Sequence, residues 1–152
     1  MSLPTSIDLK IITPERLLID DPVDEVEIPG SEGYFGVLPG HTPLLADLAV
    51  GELWYRKGQE KTYLSIAYGF VEVLPDRVTV LARLAEKADE IDVARAEEAK
   101  RRAEERLREY TMDIDYDRAR AALMKSLSRL QVASRLALAG RVGHQRMPPP
   151  QG

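Results

Sequence analysis

Five cations fall at helical spacing in the second half of the chain. Arg95 and Arg102 lie two turns apart with Ala99 between them, and Arg118, Lys125 and Arg129 share one side of a later stretch with Ala122 between. If the two faces converge, four or five positive charges surround a polyphosphate, helped by the positive ends of two helix dipoles. That chemistry is binding, with no bond broken. The same residues also read as solvated faces, because Glu97, Glu98, Glu104, Glu105 and Glu109 stand three or four residues from neighbouring Lys and Arg. Both readings are open at the level of spacing.

Catalytic groups are scarce. The chain has no Cys, which excludes disulfides, Cys-ligated zinc and thiol catalysis, and its two His, His41 and His144, are far apart in sequence, so no metal site is expected. His41 sits in a turn-rich segment and reads as a loop or core imidazole; a catalytic base would need a nucleophile and an orienting group. The glycines at Gly30, Gly33 and Gly36 match neither a Walker A segment, whose GK[ST] ending is missing, nor the dinucleotide fingerprint. No catalytic residue is expected, and a bound nucleotide would be a sensed ligand that is not hydrolysed.

The elements that must position these cations are legible from a repeat. Ile91-Asp92-Val93-Ala94-Arg95-Ala96-Glu97-Glu98-Ala99 returns as Ile114-Asp115-Tyr116-Asp117-Arg118-Ala119-Arg120-Ala121-Ala122. In each copy the Asp is placed as an N-cap and the Ile as a staple. Two helices are predicted, over about residues 93–110 and 116–139, joined at Thr111-Met112-Asp113 as an antiparallel hairpin. Ala96, Ala99, Ala103, Leu107 and Tyr110 form the contact stripe of the first helix, and Ala119, Leu123, Leu127, Leu130, Ala133 and Ala137 that of the second. Alanines bury little area, at about 25 cal/mol per Å², while helix propensity stays high throughout. The hairpin is therefore compatible with two arrangements, folded or extended along a partner, and equally with permanent closure.

The first half has another texture. All ten Gly and ten Pro lie at or before Pro75 or from Gly140 onward, and only Tyr110 and Tyr116 carry an aromatic ring beyond Phe70. Runs with period-two alternation recur at residues 7–12, 23–28, 51–56, 61–66, 70–74 and 77–81, with turns expected at Lys57-Gly58 and Pro75-Asp76. The fold class expected is α+β in two domains: an antiparallel β-sandwich or flattened barrel over residues 1–85, then a two-helix hairpin over 86–139, with 140–152 a disordered tail.

At 152 residues a large multidomain enzyme is excluded, and a formal net charge of -4 argues against nucleic-acid binding. The amino-terminal residues do not read as a secretory leader, and no run of roughly 20 apolar residues offers a membrane span, so membrane association is expected only through a partner.

These residues resemble a family, the epsilon subunit of bacterial F-type ATP synthases. Gly33-Tyr34-Phe35-Gly36-Val37-Leu38-Pro39-Gly40-His41-Thr42-Pro43-Leu44-Leu45 is similar to its most characteristic segment; Gly69-Phe70-Val71-Glu72-Val73 with Val78-Thr79-Val80-Leu81, and Ile91-Asp92-x-x-Arg95-Ala96, continue the likeness over roughly residues 5 to 138. The resemblance implies a noncatalytic part of the central rotor at the cytoplasmic face of the cell membrane. Its sandwich would join the gamma subunit to the c-ring, helping couple proton flow to ATP synthesis. Its helices would rise along gamma into the alpha/beta catalytic head and inhibit ATP hydrolysis. Ser31, Glu32, Gly33 and Tyr34 then become candidates for c-ring contact, and Arg118, Lys125 and Arg129 for acidic surfaces of the head. In some members ATP binds the folded hairpin; the matching positions are Glu86, Ile91, Asp92, Arg95, Ala96, Arg102, Lys125 and Arg129. Lys125 departs from the Arg of ATP-binding members, keeping the charge and losing the bidentate fork. A free-standing ATP-sensing module is the alternative the same cations support.

Overall fold

A computed structural model gives the architecture; it describes residues 2–109 and 113–143, with backbone alone for 113, 114 and 139–143. Eight strands come first: β1 (Ile7–Ile12), β2 (Leu17–Val23), β3 (Glu25–Gly30), β4 (Gly33–Val37), β5 (Leu44–Asp47), β6 (Val50–Lys57), β7 (Glu60–Leu74) and β8 (Arg77–Lys87). A 3-10 turn (Ala88–Glu90) leads into α1 (Val93–Arg108) and α2 (Asp113–Gly143). The strands hydrogen-bond in the order β2-β1-β8-β7-β6-β3-β4, with β5 added to β7.

The 15-residue β7 explains how one strand path makes two layers. Its first half pairs with β6 from Val50↔Ala67 to Lys57↔Glu60, and its second half pairs with β5 from Asp47↔Phe70 to Leu44↔Val73. The changeover falls at Tyr68-Gly69, both at positive φ (62 and 112). A Cβ at Gly69 would run into the Leu81 carbonyl, so the close passage of β8 there requires glycine. Alternate residues point into a single core: Ile7, Leu9 and Ile11 of β1, Leu53 of β6, Leu64 and Ile66 of β7, Val78 and Val80 of β8 are all fully buried.

The sandwich followed by two helices is the expected class, with differences of detail. Residues 61–66 and 70–74 are one strand. β1 and β8 run parallel, from Asp8↔Arg77 to Ile12↔Leu81, within an otherwise antiparallel pairing scheme among the described residues. β2 gave no sequence signal because Asp20, Asp21 and Pro22 break the apolar pattern; as an edge strand it tolerates Pro and outward charge. β8 runs to Lys87, past the expected boundary at residue 85.

The repeat behaves asymmetrically. Asp92 caps α1, its carboxylate accepting the Arg95 N–H at 3.1 Å. Its counterpart Asp115 does not cap, since α2 has already begun at Asp113; Asp115 and Asp117 instead fall in the first turns, where negative charge complements the positive end of the helix dipole. At the far end α2 passes Ala139 and Gly140 and continues to Gly143. The part of the expected tail from 144 onward, the Thr111-Met112 connection and Tyr110 lie outside the described residues.

α2 is the helix that docks on β6 and β7, while α1 packs against α2. Ala96 and Ala103 of α1 and Ala119 of α2 are buried as the stripes require, but Leu127 and Ala137 face outward. Their places toward the sheet are taken by Ser126, Ser128 and Val132. Apolar residues occur on both sides of α2, so spacing alone did not select the docked one.

Candidate functional site

α1, α2 and the sheet enclose a cleft of about 360 Å³ lined by Glu86 of β8, Arg95 of α1, and Lys125, Ser126 and Arg129 of α2, with Ser65 on its floor. Small residues make the space: Ala67 on the sheet, Ala99 and Ala122 on the helices. Lys125 and Arg129 reach the same opening because they stand one turn apart. Arg129 Nε donates to Glu86 Oε2 at 3.0 Å. The side chains of Arg95 and Lys125 carry no ion pair among the described residues, so two cations face the cleft uncommitted. Such a lining can hold an anion of polyphosphate type; Glu86 offers an acceptor to whatever donor that ligand carries.

Of the candidate ATP positions the structure thus gathers Glu86, Arg95, Lys125 and Arg129. Asp92 caps α1, Ala96 is fully buried, and Ile91 belongs to a small apolar cluster with Ala88 and Val132, against which Tyr63 and Ala133 pack. Arg102 and Arg118 are exposed and do not line the cleft.

The other candidate surface is the β3–β4 hairpin tip. Ser31 and Glu32 form its two-residue turn, Gly33 follows at φ 126, and all three are exposed with Tyr34. The Ser31 N–H bonds the Asp47 carbonyl at 2.9 Å, and the Tyr34 hydroxyl accepts the Glu52 N–H at 3.1 Å, so the tip is fixed while its ring stays outside. Leu38, Leu44, Leu45 and Phe70 add exposed apolar side chains on the same half of the chain. His41 makes a local contact, Nδ1 donating to the Thr42 carbonyl at 2.6 Å.

A second group escaped sequence reasoning. Arg135 of α2 forks onto Glu52 of β6, Nε to Oε2 at 3.1 Å and Nη2 to Oε1 at 2.9 Å, with the guanidinium 5.0 Å from the Tyr63 ring centroid. The hydrogen-bonded Glu52 carboxylate raises the Arg135 pKa above its ordinary value, against an opposing effect of burial. Next to it the Ser65 and Ser128 hydroxyls share a buried hydrogen bond of 3.0 Å. A charged residue flanked by uncharged ones in a strand, as Glu52 is between Gly51 and Leu53, was the available signal.

Fold and cleft together define a class: a β-sandwich carrying a two-helix arm, with a basic opening where they meet. Family models agree on both parts, the ATP synthase delta/epsilon chain β-sandwich domain over residues 6–88 and the long α-helix domain of the same chains over residues 89–134. The chain belongs to the ATP synthase delta/epsilon chain family. It is 52% identical over 130 residues to "ATP synthase epsilon chain 2" of Syntrophotalea carbinolica, covering 85% of this chain and 94% of that one. To the ATP synthase epsilon chain of Syntrophobacter fumaroxidans it is 51% identical over 129 residues, 85% and 96% of the two chains. Among solved structures a chain of the Euglena gracilis mitochondrial ATP synthase shares the fold, with a TM-score of 0.67, 24% identity, and 91% and 84% coverage.

Proposed function

We propose that this chain is a noncatalytic rotor subunit in the central stalk of a bacterial F-type ATP synthase. Its sandwich joins the gamma subunit to the c-ring and helps couple proton translocation to ATP synthesis, with the exposed tip Ser31 to Tyr34 toward the ring. The helices are a regulatory arm that extends along gamma toward the alpha/beta head, where Arg118, Lys125 and Arg129 meet acidic surfaces and ATP hydrolysis is inhibited. ATP in the cleft of the folded arm, on Arg95, Lys125 and Arg129, favours the noninhibitory state. The complex holds the chain at the cytoplasmic face of the membrane; among the described residues no helix is long and apolar enough to cross one.

The observation that carries the reading is the convergence of Arg95, Lys125 and Arg129 on one cleft in a chain of this family. Two experiments test it. Co-purification with gamma and c subunits is expected, and a chain that never joins such an assembly is a free-standing module instead. Truncation after Ala88 is expected to raise ATP hydrolysis by the assembled complex; no change removes the inhibitory role and leaves the coupling role.

A further inference from the structure

The contacts that hold α2 to the sandwich fall on a single line. Strand register sets Glu52 of β6 opposite Ser65 of β7, and Ser65 opposite Glu86 of β8, so these three residues form one row straight across three neighbouring strands. The row lies on the outer face of the sheet, because the adjoining Leu53, Leu64 and Ala85 point into the core. Each member of the row receives one residue of α2: Glu52 takes Arg135 in the fork described above, Ser65 takes Ser128 at 3.0 Å, and Glu86 takes Arg129 at 3.0 Å.

The members are not equal. The Glu52 side chain is 9% exposed beneath α2 and its partner Arg135 36%, whereas the Glu86 and Arg129 side chains are 37% and 23% exposed. Glu86 is therefore the more water-accessible carboxylate, and the Glu52–Arg135 fork holds the desolvated one, backed by the Tyr63 ring. A charged pair of this kind adds little net stability against water but is costly to break on one side only. It is also polar on both surfaces, so once α2 leaves, each half is rehydrated and no broad apolar face is exposed. The apolar contact at this seam is confined to Val132 and Ala133 of α2 against Ala88, Ile91 and the Tyr63 ring.

We infer that the row Glu52, Ser65, Glu86, with its α2 partners Arg135, Ser128 and Arg129, is the catch that sets how readily α2 lifts from the sandwich, and that the Glu52–Arg135 fork dominates it. The inference rests on the proposed opening of the arm and names the side chains that control it. Ala88, Ile91 and Val132 position the helix; the polar row decides its release.

The full-length chain supplies a direct test because it has no native Cys. Val132→Cys places a thiol under α2, and Val73→Cys places one in the sandwich core away from it; both parent residues are fully buried. Thiol labelling then reports local lifting of α2 separately from global opening. With Glu52→Gln, and independently with Arg135→Gln, labelling at position 132 is expected to accelerate by about tenfold or more while labelling at position 73 is unchanged. Arg135→Lys, which keeps charge and loses the fork, is expected to fall between. A thiol under α2 that does not respond to either substitution overturns the catch, and so does equal acceleration at both positions, which would make the row a support of the whole fold. Failure of the underlying reading looks different: truncation after Ala88 then leaves hydrolysis by the assembled complex unchanged, whatever the thiol under α2 does.

Discussion

The sandwich is held by side chains such as Ile7, Leu9, Ile11, Ile28, Leu53, Leu64 and Ile66, none exposed at all, whereas among the described residues of α1 and α2 the buried ones are Ala96, Ala103, Ala119, Val132 and two serines. Each leucine or isoleucine removes several times the apolar area of an alanine from water, so the two regions differ in how firmly they are bound as well as in shape. The sandwich is the firmly held body. The arm keeps its helices through intrinsic propensity and keeps its place through a polar row and a small apolar contact. A strong core beside a weak seam is what a rigid coupling element with a movable attachment requires.

Removing core volume on each side separates the two regions most strongly. Leu53→Ala is expected to cost about 3 kcal/mol or more of global stability, read as a shifted urea midpoint. Val132→Ala is expected to cost about 1.5 kcal/mol, confined to docking of α2 and invisible in the sandwich transition. Equal effects on one cooperative transition would mean that the arm and the sandwich are a single unit. Between these two substitutions in size, Glu52→Gln is expected to cost about 2 kcal/mol of α2 protection in hydrogen exchange, because Arg135 is left half-buried without its carboxylate, with sandwich amides unchanged.

The cleft gives a smaller effect. Titration calorimetry with ATP is expected to show loss of binding in Arg95→Ala and a gain of about fivefold in affinity, roughly 1 kcal/mol, in Lys125→Arg, since the fork restores bidentate phosphate contact. An unchanged affinity in Arg95→Ala would move the ligand away from this cleft. The smallest effect concerns pH. Arg16 bonds Glu90 at 2.8 Å, tying the β1–β2 turn to the segment before α1. That hydrogen bond is the main cause holding the Glu90 carboxyl below its ordinary value of 4.5, with burial opposing it. A lowered carboxylate contributes stability that is present above the ordinary value and lost as pH falls through the lower folded one. Because the Arg16 and Glu90 side chains are 51% and 32% exposed, the contribution is below about 1 kcal/mol. Arg16→Ala is expected to flatten the acid side of the stability profile slightly, measured by thermal melts from pH 6 down to about 3.

Much of this division was legible in the chain. Strands with clean alternation, such as Glu25-Val26-Glu27-Ile28 and Arg77-Val78-Thr79-Val80-Leu81, were legible, although the run expected from residue 23 took in Val23, the last residue of β2; so was the capped start at Ile91-Asp92. β2 and β4 did not, because edge strands are free to carry Asp, Pro and Gly. The cations of the spacing argument resolved into two groups: Arg95, Lys125 and Arg129 share the cleft, while Arg102 and Arg118 stay outside it. Helical period names a face but not what lies opposite it. The Glu52–Ser65–Glu86 row was out of reach for a related reason, since its members are 13 and 21 residues apart in sequence and become neighbours only through strand register.

The most direct measurement of a movable arm uses that row. The Ser65 and Ser128 hydroxyls lie 3.0 Å apart, so Ser65→Cys with Ser128→Cys closes a disulfide between sheet and α2 in a chain with no other thiol. ATP hydrolysis by the assembled complex is then measured with this bond formed and after reduction. The expected result is faster hydrolysis in the locked form, returning to the slower wild-type rate on reduction; identical rates in the two states would contradict a regulatory role for the arm.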